Sequence, residues 1–351
     1  MITAVELGLL YAIMALGVYL TFRILDFADL TVDGSFTTGA AVAAISIVNG
    51  VNPFLATVAA FAAGLGAGVI TGVLNTKANI DGLLAGILTQ IALYSINLGI
   101  MGAANVSLLR ADTLFSGLRS EGYVGGGSWT GSLILLPVAF VMLALMIWFL
   151  HTDIGLAMRA TGDNSEMIRS FGVSTDMQKI LGLALSNGLV ALSGALVAQY
   201  QGYADVSMGI GIIVAGLASV IIGQAIFGRL TIFRAATAVV FGAVLYRVVI
   251  QLALMAGLNP NYMKLISALL VIIALVVPQI KLFKKVPHRF TPGWRSGNGA
   301  AAEVSGAADG AGLAGEGVGA DEGAGDDGAA QSVAAGAKLP GGVPANEGEE
   351  R

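Results

Sequence analysis

Residues 26–36 read DFADLTVDGSF, three aspartates within eight positions, directly after a long and mostly apolar run. A carboxylate at the edge of a membrane span is expensive unless something faces it. Asp29 and Asp33 stand four apart, a spacing that a helix turns into one face. The stretch also has an echo. "FADLTVDGSFTTGAAVAA" (27–44) aligns without gaps on "YADVSMGIGIIVAGLASV" (203–220), an offset of 176 residues. Phe27 meets Tyr203, Ala28 meets Ala204, Asp29 meets Asp205, Leu30 meets Val206 and Thr31 meets Ser207. Asp33 falls opposite Gly209, so this acid belongs to the first copy alone. Each copy follows one long apolar run and leads into one rich in small residues, which is the layout of an internal repeat.

Composition sets the class. The chain is 56% hydrophobic and 11% charged, with a mean hydropathy of +0.82; soluble domains carry about 25% charged residues. A span needs about 20 apolar residues, and such runs lie near 2–23, 53–74, 81–101, 132–150, 178–199, 206–227, 232–256 and 262–280. A shorter Gly/Ala-rich piece, 35–48, reads as a short or broken ninth segment. The first run carries Glu6 and no Lys or Arg ahead of it, which fits a retained span better than a cleaved leader. The expected fold is all-α: a polytopic membrane helix bundle of about 8–10 segments. It occupies 1–290, with halves of about 1–130 and 178–290 and a loop at 151–177.

Lys and Arg concentrate in cytoplasmic loops. Placing 151–177 inside also places Arg23, Lys77, Arg159, Arg169, Lys179, Arg229, Arg234 and the "KLFKK" cluster inside, leaving Arg110, Arg119 and Lys264 outside. This puts the N-terminus outside, the C-terminus in the cytoplasm, and the two repeat copies on opposite faces, as an inverted-topology repeat requires. Residues 291–351 hold ten acids against three bases, a balance of −7, so the net charge of −4 comes from them while 1–290 carries +3. Rich in Gly and Ala and nearly free of large apolar residues, that stretch reads as a disordered acidic cytoplasmic tail.

Within the spans, Gly64, Gly68 and Gly72 with Ala60 form a small-residue stripe suited to close helix packing. The candidate residues of a polar path or gate are Asp29, Thr31, Asp33, Gln90, Asn97, Asn187, Asp205, Gln224 and Arg247. Gln90, Tyr94 and Asn97 share one helix face. Amides in spans are more often interhelical hydrogen-bonders, worth about 0.6 kcal/mol each. A guanidinium near mid-span, as at Arg247, demands a partner or water, and Asp205 is one candidate. The opening acids are expected to shape and cap a short helix at an inner gate.

Other chemistries find no support. There is no cysteine and only two histidines, His151 and His288. No Ser-His-Asp set, metal-ligand spacing or phosphate-binding G-x-x-x-x-G-K-[ST] loop occurs. No catalytic residue, metal or bound cofactor is expected, and nucleic acid is not an expected partner.

The loop 151–177 reads as one short amphipathic helix, with Asp163, Asn164 or Ser165 as N-cap, Met167, Ile168 and Phe171 as its apolar edge, and Gly172 closing it. A soluble partner or the lipid interface would suit that edge. "GLAMRATGDNSEMIRSFGVSTD" (155–176), followed by a Gly/Ser/Ala-rich span, resembles the coupling segment of ABC importer permeases of the branched-chain amino acid and ribose family. "ADLTVDGSF" (28–36), "LALSNGLVALSGALVAQYQGYADVSMGIG" (183–211) and "NYMKLISALLVIIALVVP" (261–278) are similar to its subgroup of uncharacterised or aromatic-amino-acid permeases. The resemblance spans about residues 5–280. It implies a multi-pass cell-membrane permease working as a homodimer, with a cytoplasmic ABC ATPase that uses ATP, an extracytoplasmic solute-binding lipoprotein, and membrane lipid around it. Ala160, Thr161, Gly162, Asp163, Asn164, Met167 and Ile168 would then engage the ATPase. Alternating access driven by that ATPase is the mechanism implied, with an ion-coupled secondary transporter as the alternative. The tail has no counterpart expected in the family.

Overall fold

The computed structural model describes residues 2–123, 129–228, 231–257 and 263–276. Its helices are α1 (Ile2–Tyr19, continued by a π-helical turn, Leu20–Ile24), α2 (Thr31–Val48), α3 (Pro53–Thr76), α4 (Gly82–Met101), α5 (Ser116–Ser120) and α6 (Trp129–Leu150), followed by α7 (Asp153–Asp163), α8 (Ser165–Ser170), α9 (Thr175–Gln201), α10 (Ile212–Phe227), α11 (Ile232–Met255) and α12 (Met263–Val276). Seven of them are long and apolar enough to cross a membrane, and α10 is a shorter apolar helix of 16 residues. The protein is a helical, multi-pass membrane bundle. The acidic tail, the "KLFKK" cluster and Arg229 lie outside the described residues.

Local chemistry sets the helix ends. Asn52 accepts a hydrogen bond from the Phe54 amide ahead of Pro53, and Asp81 accepts one from Leu83, so α3 and α4 start on capped turns. Gly102 and Gly202 end α4 and α9 in the left-handed region. The short segment expected at 35–48 is longer than expected, because Thr31 and Asp33 already belong to α2. The span expected at 206–227 is shorter: its helix starts only at Ile212, after a turn containing Gly209 and Gly211. One feature departs from pure helix. β1 (Asn105–Ser107) pairs antiparallel with β2 (Tyr203–Asp205), with Asn105 opposite Asp205.

The offset of 176 holds throughout the bundle. It carries α1 onto α9, α2 onto α10, α3 onto α11 and α4 onto α12. The packing crosses between the two sets. α2 and α3 pack on α9, while α10 and α11 pack on α1. Single atoms follow the same rule. Ser186 Oγ donates to the Gly17 carbonyl at 2.7 Å, and Ser193 Oγ donates to the Leu10 carbonyl at 2.8 Å. Moving both residues of either bond by 176 gives the other. Likewise a Cβ on Gly68 would strike the backbone around Ala184, and one on Gly8 would strike Val244. These two contacts are also repeat mates, so the pseudo-twofold relation is written in the bonds that hold the centre.

The glycine stripe of α3 has a physical purpose here. Gly64, Gly68 and Gly72 each meet α9 backbone or Cβ atoms at distances no side chain could accommodate. In lipid, apolar burial gives no drive for helices to associate, so close backbone contact supplies it. α1, α9 and the middle of α2 are consequently the most enclosed elements, and α3, α4 and α6 turn wide apolar faces outward.

Candidate functional site

The opening acids sit inside the molecule. Asp29 is buried, accepting the Thr31 amide at 2.9 Å and the Asn187 side-chain amide at 2.6 Å. Asn187 is fully enclosed and uses its whole amide: its nitrogen also donates to the Leu183 carbonyl, and its oxygen accepts from Ser35 Oγ at 2.7 Å. Thr31 Oγ1 meets Thr71 Oγ1 at 2.8 Å. Because Thr71 gives its proton to the Ala67 carbonyl, Thr31 is the donor in that pair. Burial pushes the Asp29 carboxyl up from its ordinary range, and the hydrogen bonds from Thr31 and Asn187 only partly oppose this. The structure therefore brings Asp29, Thr31 and Asn187 together across α2, α3 and α9.

Asp33 does something else. Its carboxylate accepts the Gly211 amide at 2.7 Å and the Ile213 amide at 2.8 Å. An acid from the first turn of α2 thus caps the N-terminus of α10, its own helix's repeat mate. The cap was expected on a short helix at an inner gate; the amides that Asp33 holds belong to α10, 178 and 180 residues away. Gly209 allows it, since a Cβ there would collide with the Asp33 carbonyl and Thr37 Oγ1. Beside this junction lies a cavity of about 340 Å³ lined by Asp33, Gly34, Gln90, Tyr94 and Asn97 among others. Asn97 donates to the Gly34 carbonyl at 3.3 Å. The shared face of Gln90, Tyr94 and Asn97 therefore looks onto the start of α2.

The other expected path residues lie apart from this cluster. Asp205 makes the same local turn as Asp29, accepting the Ser207 amide at 2.8 Å, but its other oxygen is held by Asn105 of β1 at 3.4 Å. Desolvation works against its charged form, yet the bonds from Ser207 and Asn105 prevail and hold its pKa below the usual carboxylate value. Among the described residues Asp205 forms no ion pair with Arg247. Arg247 instead lays its guanidinium over the Tyr11 ring, 3.8 Å from the centroid. The candidate acid is turned toward β1, and an aromatic face takes the cation. Gln224 is buried at the far end, lining a cavity of about 720 Å³ with Arg23, Asp26, His151, Arg159 and Asp163.

That end also carries the loop, as two helices and not the single one expected. Asn164 ends α7 and caps α8, accepting the Met167 amide at 2.9 Å. α7 is docked: Met158 and Thr161 are buried, and Gly162 lies so close to the Ile24 carbonyl that a Cβ would not fit. α8 is presented outward, with no residue buried, Met167 at 51% and Phe171 at 72% exposure. Gly172 closes it in the left-handed region. Of the seven residues singled out here, Thr161 and Gly162 thus face the bundle, Ala160 and Ile168 are half-buried, and Asp163, Asn164 and Met167 are exposed. Asp176 ties α8 to its surroundings through Arg169 at 3.3 Å and Lys77 at 3.5 Å.

Two buried polar contacts escaped the sequence. Glu6 is fully enclosed and accepts Tyr200 Oη at 2.5 Å. Gln199 donates to Thr57 Oγ1 at 2.8 Å and accepts the Leu114 amide, pinning α9 to α3 and to the connection before α5. A lone acid about one turn into the first span was the available signal for Glu6.

The comparisons with known proteins agree with one another. Residues 1–275 match the family model described as branched-chain amino acid transport system / permease component. The chain is similar to a tyrosine transport system permease protein of Clostridioides difficile, 42% identical over 83% of this chain and 96% of the relative. It is 36% identical to an uncharacterised Rickettsia prowazekii protein, over 78% of this chain and 96% of that one. The ribose import permease protein of Escherichia coli matches at 24% identity over 77% and 82%.

Proposed function

We propose, for a chain that belongs to the family of branched-chain amino acid transport system permease components, that its cargo is an amino acid, aromatic ones foremost. As a permease component of an ABC import system it supplies the membrane pathway. The cargo reading rests on the similarity to the tyrosine permease over nearly the whole of that protein. In the assembly we infer, two copies of this chain sit in the cell membrane among lipid. A cytoplasmic ABC ATPase binds the α8 end and uses ATP, and an extracytoplasmic lipoprotein delivers solute at the β1–β2 end. The C-terminus and the acidic tail then lie in the cytoplasm. No observation favours the ion-coupled carrier.

The observation that carries the coupling role is the division of labour between α7 and α8. α8 offers Met167 and Phe171 to a groove, while α7 is wedged against the π-helical turn of α1 through Gly162. Movement of a bound ATPase would pass from α8 through α7 into α1, the element on which α10 and α11 pack. Asp163, Asn164, Met167 and Ile168 make the contact in this reading, and Ala160, Thr161 and Gly162 transmit it. Asp29, Thr31, Asn187 and Asp33 hold the central helices in register, so their role is gate geometry more than solute binding. Met167→Glu places a charge on the apolar edge of α8. Loss of ATPase co-purification with a normally inserted permease is the expected result. A variant that co-purifies the ATPase in wild-type yield would reject the α8 contact.

A further inference from the structure

The two halves of the repeat treat one equivalent position differently. In the first half Asn187, Thr71, Thr31 and Ser35 close around the carboxylate of Asp29. Their mates by the 176 offset are Tyr11, Arg247, Ser207 and Gly211, and the mate of the acid is Asp205. The second half therefore holds a cation, Arg247, where the first holds the Thr71 hydroxyl, and the acid, while keeping the local turn with Ser207, gives its other oxygen to Asn105. Arg247 Nε is buried without a hydrogen-bond partner. The ion pairs of the described residues, both at Asp176, lie elsewhere. Around the guanidinium is a cavity of about 490 Å³ lined by Tyr11, Tyr203, Ser207, Tyr246 and Ser267 among others.

We propose that this cavity is a binding site for the carboxylate of an aromatic amino acid, the ligand's anion taking beside Tyr11 and Arg247 the place that Asp29 takes beside Asn187 and Thr71. A guanidinium fork pairs with a carboxylate through two parallel hydrogen bonds, and Tyr11 already fixes its plane from one side. A half-buried cation with no ion pair among the described residues is costly alone and gains from an anion brought by the solute. The Tyr203 and Tyr246 rings give a ring-sized ligand apolar walls with hydroxyl tips, and the volume lies in the range of small-ligand sites. The identity of the ligand rests on the amino-acid reading above; the anion preference rests on the cavity.

The test uses the full-length chain in lipid nanodiscs, with 3-(4-hydroxyphenyl)propionate as a carboxylate without an amine and tyramine as an amine without a carboxylate. Wild type should gain about 2 °C or more in Tm with the carboxylate and nothing with tyramine. Arg247→Gln should abolish the shift while its ligand-free Tm is equal to or above wild type, since an unpaired charge has been removed. Arg247→Lys should keep a reduced shift. An equal shift from tyramine, a shift that survives in Arg247→Gln, or none in wild type at 10 mM probe (about 2.7 kcal/mol per hundredfold excess over Kd) overturns the proposal. Tyrosine import by the assembled transporter separates the two ideas. Import with no Arg247-dependent shift leaves the permease reading standing and removes this site. An Arg247-dependent shift without import of any amino acid supports the anion site and removes the cargo reading.

Discussion

Replacing Asp33 by Ala should unfasten the start of α10 and leave the rest of that helix in place. The carboxylate accepts two amides, Gly211 at 2.7 Å and Ile213 at 2.8 Å, in a buried setting. Hydrogen bonds to a charged group contribute about 1.5–3 kcal/mol each, and buried orphan amides cost about 1–3 kcal/mol. A single helix cap is worth about 1–2 kcal/mol, and an anion at a helix N-terminus up to about 2. These terms describe overlapping effects, so the expected local cost is about 3 kcal/mol. By RT ln K that corresponds to roughly a hundredfold faster amide exchange in the first turn of α10. Asp33→Asn keeps one acceptor and should fall near half that cost. Gly209→Ala should imitate Asp33→Ala, because a Cβ there displaces the carbonyl and Thr37 hydroxyl that bring the acid into place. Hydrogen exchange by mass spectrometry over 209–216, in lipid, reads this directly. If exchange there stays within threefold of wild type in Asp33→Ala, Asp33 is not the cap and the argument fails.

Other outcomes follow from the same geometry. Burial raises the Asp29 carboxyl against its hydrogen bonds, so its folded pKa exceeds the unfolded value. Its contribution is then fully present below about pH 4 and lost as pH rises through the folded value. The Tm of Asp29→Asn, which keeps an acceptor for Thr31, should gain on wild type as pH rises from about 4 and then level off; a gap independent of pH would contradict the burial argument. Ser186→Ala and Ser193→Ala remove repeat-mate bonds and should each cost about 0.6 kcal/mol, with nearly equal values; a difference above about 1.5 kcal/mol would show that the crossing is not symmetric in energy. Gly162→Pro puts a ring where Ile24 allows no Cβ and should abolish stimulation of the ATPase with insertion intact, checked by ATP hydrolysis in proteoliposomes.

What the sequence disclosed follows from the range of the interactions involved. Asp29 and Asp205 were matched because each makes a local turn with a hydroxyl residue two positions on, and a local motif is conserved in both copies as a short string. The glycine stripe was legible because helix spacing alone puts Gly64, Gly68 and Gly72 on one line. The target of Asp33 was not, since the amides it caps lie 178 and 180 residues away and amides are the same in every residue. The partner of Arg247 stayed open for a related reason: charge is visible in a sequence, but the direction in which the candidate Asp205 turns depends on Asn105, in a strand of three residues that leaves no periodic signal. The split of the 151–177 loop turned on Asn164 serving two helices at once.

The crossed packing of the two halves has a consequence in time. α3 ends at Thr76 and α9, on which its glycines close, begins at Thr175. At roughly 5–20 residues per second of synthesis, α2 and α3 wait about 5–20 seconds in the bilayer before that partner emerges. During that interval Gly64, Gly68 and Gly72 have no α9 backbone to close on and Asp29 has no Asn187 to face. Formation of the centre is thus a late event, gated by delivery of α9.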